Sequence, residues 1–254
     1  MSLFETSSLK KYFVEILGTF VLVLFGCGTA VITGNVVAIA LAFGLSIVVV
    51  AYTFGRFSGT HLNPAVTFAV CLKRKMNWGE GLLYIGSQVI GAILGALVLW
   101  GIVRAADPSG SGLTSILGSN VTGALRVDAT GDIILNSGWR YLSTGLIEFV
   151  LSFVFITVVL FATEKENKFA ALLIGGGLTF VHLLGAAAPG GTSVNPARSI
   201  GPALISLING QYIPVMEVGL FIILPILGAL LAVIMHNILS KTVATKQNKN
   251  ETAV

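Results

Sequence analysis

The chain has 254 residues, 55% of them hydrophobic and 10% charged, with 15 Lys and Arg against 11 Asp and Glu for a formal net charge of +4. Soluble proteins carry roughly a quarter of their residues as charges, so this balance, with a mean hydropathy of +0.91, excludes a water-exposed globular surface and points to lipid. The cations lie in several short clusters and not in one patch, which argues against nucleic acid as a partner.

In chain order, nearly uncharged apolar runs fall at about 12–33, 36–55, 82–103, 142–162, 169–188 and 213–239. Each is long enough to cross roughly 30 Å of hydrocarbon as a helix. The first follows Lys10 and Lys11, as a signal peptide would, but no small-residue cleavage site interrupts it, so it reads as a retained span. Cys27 and Cys71 sit far apart in apolar stretches without metal-ligand spacing and read as buried free thiols. With six crossings, Lys10, Lys11, Arg56, Lys73, Arg74, Lys75, Lys165, Lys168 and the lysines after residue 240 all face one side, against Arg104, Arg126 and Arg140 on the other. Positive charge marks the cytoplasmic side, so both termini are expected there. Thr114 to Asn136 reads as an outer loop of unassigned conformation, and 241–254 as a disordered polar tail.

The two halves resemble each other in register. Glu15-x-x-x-Thr19-Phe20 recurs as Glu148-x-x-x-Ser152-Phe153 and Gly44-Leu45-Ser46 as Gly177-Leu178-Thr179, both 133 residues on; Asn63-Pro64-Ala65 recurs as Asn195-Pro196-Ala197 at 132. Each unit holds three spans, an odd number, so the second copy enters from the opposite face. The repeats cover approximately 10–103 and 140–239 within a single domain of residues 1–254. Inverted repeats of this kind place a shared site near the midplane.

Between spans 2 and 3, and again between spans 5 and 6, a loop rich in Gly, Thr and Ser leads into Asn-Pro-Ala and about ten apolar residues. Asn is a favoured N-cap and Pro a favoured first helical residue, so each Asn-Pro reads as a helix start. One such tripeptide alone would read as an interfacial turn. Two in register within an inverted repeat read as half-helices that enter from opposite faces and meet end to end. Irregular backbone at that depth is tolerated where it is buried in protein or lines water, so a water-filled path is implied.

Duplicated Asn-Pro-Ala, the second copy extended to Asn195-Pro196-Ala197-Arg198-Ser199, and a Glu in the first span of each half resemble the aquaporin (major intrinsic protein) family over roughly residues 10–240. The resemblance implies an all-α membrane fold of six transmembrane helices plus two re-entrant half-helices, and a homotetramer with one pore per subunit. Asn63 and Asn195 would hold donors at the pore centre, with the carbonyls of 59–62 and 191–194 as acceptors for water. Phe43, His182, Thr192 and Arg198 would form the constriction. Arg at membrane depth costs about 2.5 to 3.5 kcal/mol or more, and would be satisfied by loop carbonyls. His61 would line the cytoplasmic vestibule, and His236 would lie at the cytoplasmic interface. Glu15 and Glu148 would scaffold the re-entrant loops.

Phe43 opposite His182 makes a small opening, and Ser199 after Arg198 resembles the water-selective branch of bacterial type, where glycerol-conducting relatives typically have Asp. Phe221-Ile222 departs from the Phe-Trp of many water channels and leaves glycerol or another small neutral solute as an alternative. The expected activity is therefore passive single-file water conduction with proton and ion exclusion, in the cell membrane, without cofactor or metal. A different class, a coupled secondary transporter using Glu15 and Glu148, is the competing reading. No base, nucleophile or metal cluster converges in the sequence, so an enzyme is not expected.

Overall fold

A computed structural model describes residues 6–106, 117–122, 138–188 and 190–251. Its helices, in chain order, are α1 (Thr6–Thr33), α2 (Val36–Ser58), α3 (Pro64–Leu72), α4 (Trp78–Ala106), α5 (Gly138–Ala162), α6 (Ala170–Gly185), α7 (Pro196–Ser206), α8 (Ile213–Glu217) and α9 (Leu220–Glu251). No strand occurs among the described residues. The spanning helices are α1, α2, α4, α5, α6 and the α8–α9 pair; α3 and α7, with 9 and 11 residues, are too short to cross and enter part-way.

Several boundaries differ from the sequence reading. The fifth apolar run is helical only over 16 residues, about 24 Å at 1.5 Å per residue, and its last part turns over before the second Asn-Pro loop. The sixth run is broken at Val218–Gly219 into α8 and α9. The tail expected to be disordered instead continues α9 as helix to Glu251, while 252–254 and all of the outer loop except 117–122 lie outside the described residues. His236, expected at an interface, is 2% exposed. It lies under Phe161, ring centroids 4.6 Å apart, with Lys73 Nζ 3.0 Å from Nδ1. The Lys73 stem brings the α3 terminus to α9, and this covers the imidazole.

The packing repeats the internal duplication. α1 packs on α2 and α4 as α5 packs on α6 and α9, α7 lies on α4 as α3 lies on α9, and α2 meets α6 between the halves. Small residues make these approaches possible, as lipid-embedded helices require. A Cβ on Gly91 would run into Ile16 O, and one on Gly228 would stand 2.7 Å from Phe149 O, the same contact in the two halves. Gly175 would place a Cβ 2.6 Å from Gly44 O where α6 crosses α2. α3 runs to the lysine-rich end, where Lys75 Nζ donates to Thr163 O at 3.3 Å. Beyond α7, Asn209 accepts from Trp100 Nε1 at 3.0 Å at the other end.

Candidate functional site

The two half-helices begin at the centre of the bundle, and their entry loops are strained alike. Leu62 and Val194, each immediately before the Asn, have φ of 51° and 48°, a left-handed setting that costs about 1–3 kcal/mol for a non-glycine residue. A buried carboxylate holds each loop in that shape. Glu15 accepts from Ser58 Oγ (3.0 Å), His61 N (2.9 Å), Leu62 N (2.8 Å) and Gln88 Nε2 (2.8 Å). Glu148 accepts from Thr192 Oγ1 (2.7 Å), Ser193 N (2.6 Å) and Val194 N (3.0 Å). Both side chains are fully buried, and every one of these partners belongs to a loop or its support.

Asn63 and Asn195 cap the half-helices through their carbonyl oxygens. Asn63 Oδ1 accepts from Ala65 N at 2.8 Å, and Asn195 Oδ1 from Ala197 N at 3.1 Å and Arg198 N at 3.3 Å. Pro64 and Pro196 occupy the first helical position and need no donor there. The amide nitrogens cross between the halves: Asn63 Nδ2 donates to Val194 O and Asn195 Nδ2 to Leu62 O, both at 2.8 Å. This refines the expected acceptor ladder, because two of its carbonyls receive an Asn amide. Each amide has two N–H groups, so one remains on each Asn, and both residues line a narrow cavity of about 10 Å³, room for about one water molecule.

Phe43, His182 and Arg198 line the same cavity. Phe43 and His182 do not face each other across an opening; they stack, centroids 4.4 Å apart and 27° between planes, into one wall. The Arg198 guanidinium stands 5.2 Å from the Phe43 centroid. His182 Nδ1 lies 3.0 Å from Leu178 O, an acceptor, so Nδ1 bears the proton and in the neutral ring Nε2 is left as acceptor. Thr192 is 2% exposed with its hydroxyl turned to Glu148, so the polarity it brings to the wall is not that of a free hydroxyl. His61 faces the lysine-rich side of the same cavity, its Nδ1 3.1 Å from Thr67 Oγ1.

Two wider cavities flank the narrow one. One, about 250 Å³, shares Phe43, His182 and Arg198 with it; the other, about 220 Å³ and on the side of Lys75, shares Ile47, His61 and Phe155. The shared residues string the three into one path that passes both Asn side chains. A path along a spanning bundle that narrows between two wider cavities, with His182, Arg198 and both Asn side chains at its narrowest part, has the anatomy of a pore.

The whole chain compares accordingly. The Major intrinsic protein family model matches residues 2–236. The chain belongs to the major intrinsic protein family. It is 37% identical over 228 residues, 88% of this chain and 95% of the other, to glycerol uptake facilitator protein-like 6 of Lactiplantibacillus plantarum. It is 36% identical to aquaporin Z of Rhodopseudomonas palustris, with 91% and 93% covered, and 36% to aquaporin Z of Bradyrhizobium diazoefficiens, with 92% and 94% covered. Its fold is that of the aquaglyceroporin from Plasmodium falciparum, at TM-score 0.68 and 20% identity over 89% of this chain and 93% of that one. Members of the family are membrane channels that pass water or small solutes such as glycerol, and this major intrinsic protein has their six spans, two half-helices and inverted repeat.

Gln88, Gly118 and Asn120 support the site beyond the residues expected from the sequence. Gln88, 0% exposed, ties Glu15 to Thr67 Oγ1 (2.9 Å) and was detectable as a lone amide in an apolar run. Gly118 O and Asn120 Oδ1 accept from Arg198 Nη1 at 3.0 and 2.5 Å. They come from the outer loop, whose folding depends on distant partners that local sequence does not reveal.

Proposed function

We propose that this protein is a passive water channel, with Phe43, His182, Thr192 and Arg198 forming its selective constriction and Asn63 and Asn195 its central orienting pair. The observation that carries the reading is an unsatisfied pair of buried groups on one narrow cavity. Among the described residues His182 Nε2 and Arg198 Nε have no hydrogen-bond partner, and both residues line it. A buried polar atom without a partner costs about 1–3 kcal/mol, so a passing molecule that donates to the imidazole and accepts from the guanidinium is favoured there. Water does both in the volume of a single oxygen. At the centre, a water that accepts from the free N–H of Asn63 and of Asn195 turns its own protons outward, which breaks a proton wire. The half-helix N-termini, each worth about half a positive charge, repel cations. Glu15 and Glu148 act as scaffolds and do not couple transport to an ion, since their oxygens face loop donors.

Glycerol conduction is the second reading, supported by the 37% identity to a protein named as a glycerol uptake facilitator-like protein and by Ile222, smaller than the Trp at that place in many water channels. Proteoliposomes separate the two. Under a sucrose gradient they should shrink much faster than empty vesicles; under a glycerol gradient they should shrink as fast and re-swell no faster than empty ones. Rapid re-swelling would establish the glycerol reading, and flux that follows a proton or sodium gradient would replace both with coupled transport. We further place the lysine-rich end in the cytoplasm of a cell-membrane homotetramer, for which light scattering of the detergent complex should give four chain masses.

A further inference from the structure

Arg198 is held by the outer loop, and the outer loop is held in turn by a buried carboxylate. Arg198 donates only, so the Asn120 atom 2.5 Å from its Nη1 is the amide oxygen. The same oxygen accepts from Ser199 Oγ at 2.8 Å, the neighbour that distinguishes this chain from relatives with Asp there. Two residues further along, Thr122 is fixed by Glu217, which is 8% exposed at the end of α8. Glu217 Oε2 accepts from Thr122 N and Oε1 from Thr122 Oγ1, each at 2.5 Å, with Arg140 Nη2 at 3.2 Å from Oε1. The Thr122 carbonyl accepts from Arg140 Nη1 at 3.5 Å. Before Asn120, Ser119 Oγ meets Ser206 Oγ at 3.0 Å, and Gly118 lies so close to Cys27 that a Cβ would stand 3.1 Å from the Cys27 Cβ.

We propose that Asn120 and Glu217 are positioning residues for the constriction: Glu217 clamps the loop at Thr122, and the clamped loop presents Asn120 Oδ1 and Gly118 O to hold the Arg198 guanidinium against the outer wall. The inference rests on the channel reading, because it matters to flux only if Arg198 borders the path. An Arg deprived of these acceptors keeps a long, flexible stem and a charge that seeks any remaining oxygen, and the lumen is its nearest open space. The α8 break in the sixth apolar run thereby acquires a purpose, since it brings a carboxylate to the loop from an otherwise apolar span.

The test is a double-mutant cycle in proteoliposomes. Asn120→Leu removes the acceptor at similar size, and water permeability should fall by about threefold, within the range of coupling between contacting residues. Asn120→Asp keeps the oxygens and should retain the parent permeability. In an Arg198→Val background, Asn120→Leu should have no further effect. Glu217→Leu should lower flux in the parent and likewise do nothing once Arg198 is gone. Equal losses in both backgrounds, or no loss in the parent, would overturn the proposal. If the unmodified protein itself conducted no more water than empty vesicles, the channel reading would fall on its own. The tie would then be read from thermal unfolding in detergent, where the loss of melting temperature caused by Asn120→Leu should vanish in the Arg198→Val background and its persistence would overturn the proposal.

Discussion

At the scale of single residues, the proposed constriction sorts by which atoms are already spoken for. His182 Nδ1 is committed to Leu178 O and Arg198 Nη1 to the loop, while His182 Nε2 and Arg198 Nε have no partner among the described residues. Replacing His182 with Gly deletes one member of the stacked wall and should raise glycerol permeability by about tenfold or more, the discrimination that a few missing atoms carry in a tight site, while water still passes. An unchanged solute profile in the vesicle assay would place His182 outside the constriction. Arg198→Val removes a positive charge from the narrow cavity and should raise proton leak, read with a pH dye inside the vesicles. Glu148→Ala strips the acceptor from Ser193 N, Val194 N and Thr192 Oγ1, about 1–3 kcal/mol for each donor left buried, and should abolish recovery of folded protein. Glu15 and Glu148 were visible in the sequence because a charge inside an apolar run needs a reason, and Asn63, Asn195 and Arg198 because Asn-Pro-Ala occurs twice in register. The individual acceptors Val194 O and Asn120 Oδ1 were not, because each becomes an acceptor only when chain segments distant in sequence meet.

At the scale of elements, the spans were legible as uncharged runs and the half-helices as Asn-Pro starts, since both signals are local. The break at Val218–Gly219 and the short α6 were not, because neither changes the apolar composition. Helix crossings lie between these extremes: thirty glycines announce close packing without saying which ones touch. Gly228 is a contact glycine, with a Cβ there 2.7 Å from Phe149 O and 2.8 Å from Phe153 N, both backbone atoms that cannot turn aside. Gly86, also on a spanning helix, has nothing within 4 Å. Gly228→Val should therefore force α9 from α5 and lower the melting temperature in detergent markedly. Gly86→Ala should leave it unchanged or raise it, since Ala is favoured over Gly in a helix by about 0.5–1 kcal/mol. Equal responses from the two variants would show that the α5–α9 crossing does not depend on backbone approach.

For the whole molecule, the duplication makes each half complete the other. Each Asn caps its own half-helix and sends its amide to the carbonyl before the opposite Asn, so one reciprocal pair joins the two repeats at the middle of the path. Either carbonyl, Leu62 O or Val194 O, belongs to a residue in the left-handed region whose N–H is pinned by the buried Glu of its own half. Cap, strained turn and carboxylate thus form one unit in each repeat, and the two units close on each other. Asn63→Leu should cost the cap, about 1 kcal/mol, plus the crossing bond, and Asn195→Leu should cost at least as much, because its Oδ1 accepts from Arg198 N as well as Ala197 N. The double variant should lose less than the two losses combined. Once one crossing bond is broken the junction can part, and the second bond then holds less. Apparent melting temperatures of the four proteins in one detergent measure this coupling, and strictly additive losses would mean that the halves are held together by the α2–α6 contact and not through the junction at the centre of the pore.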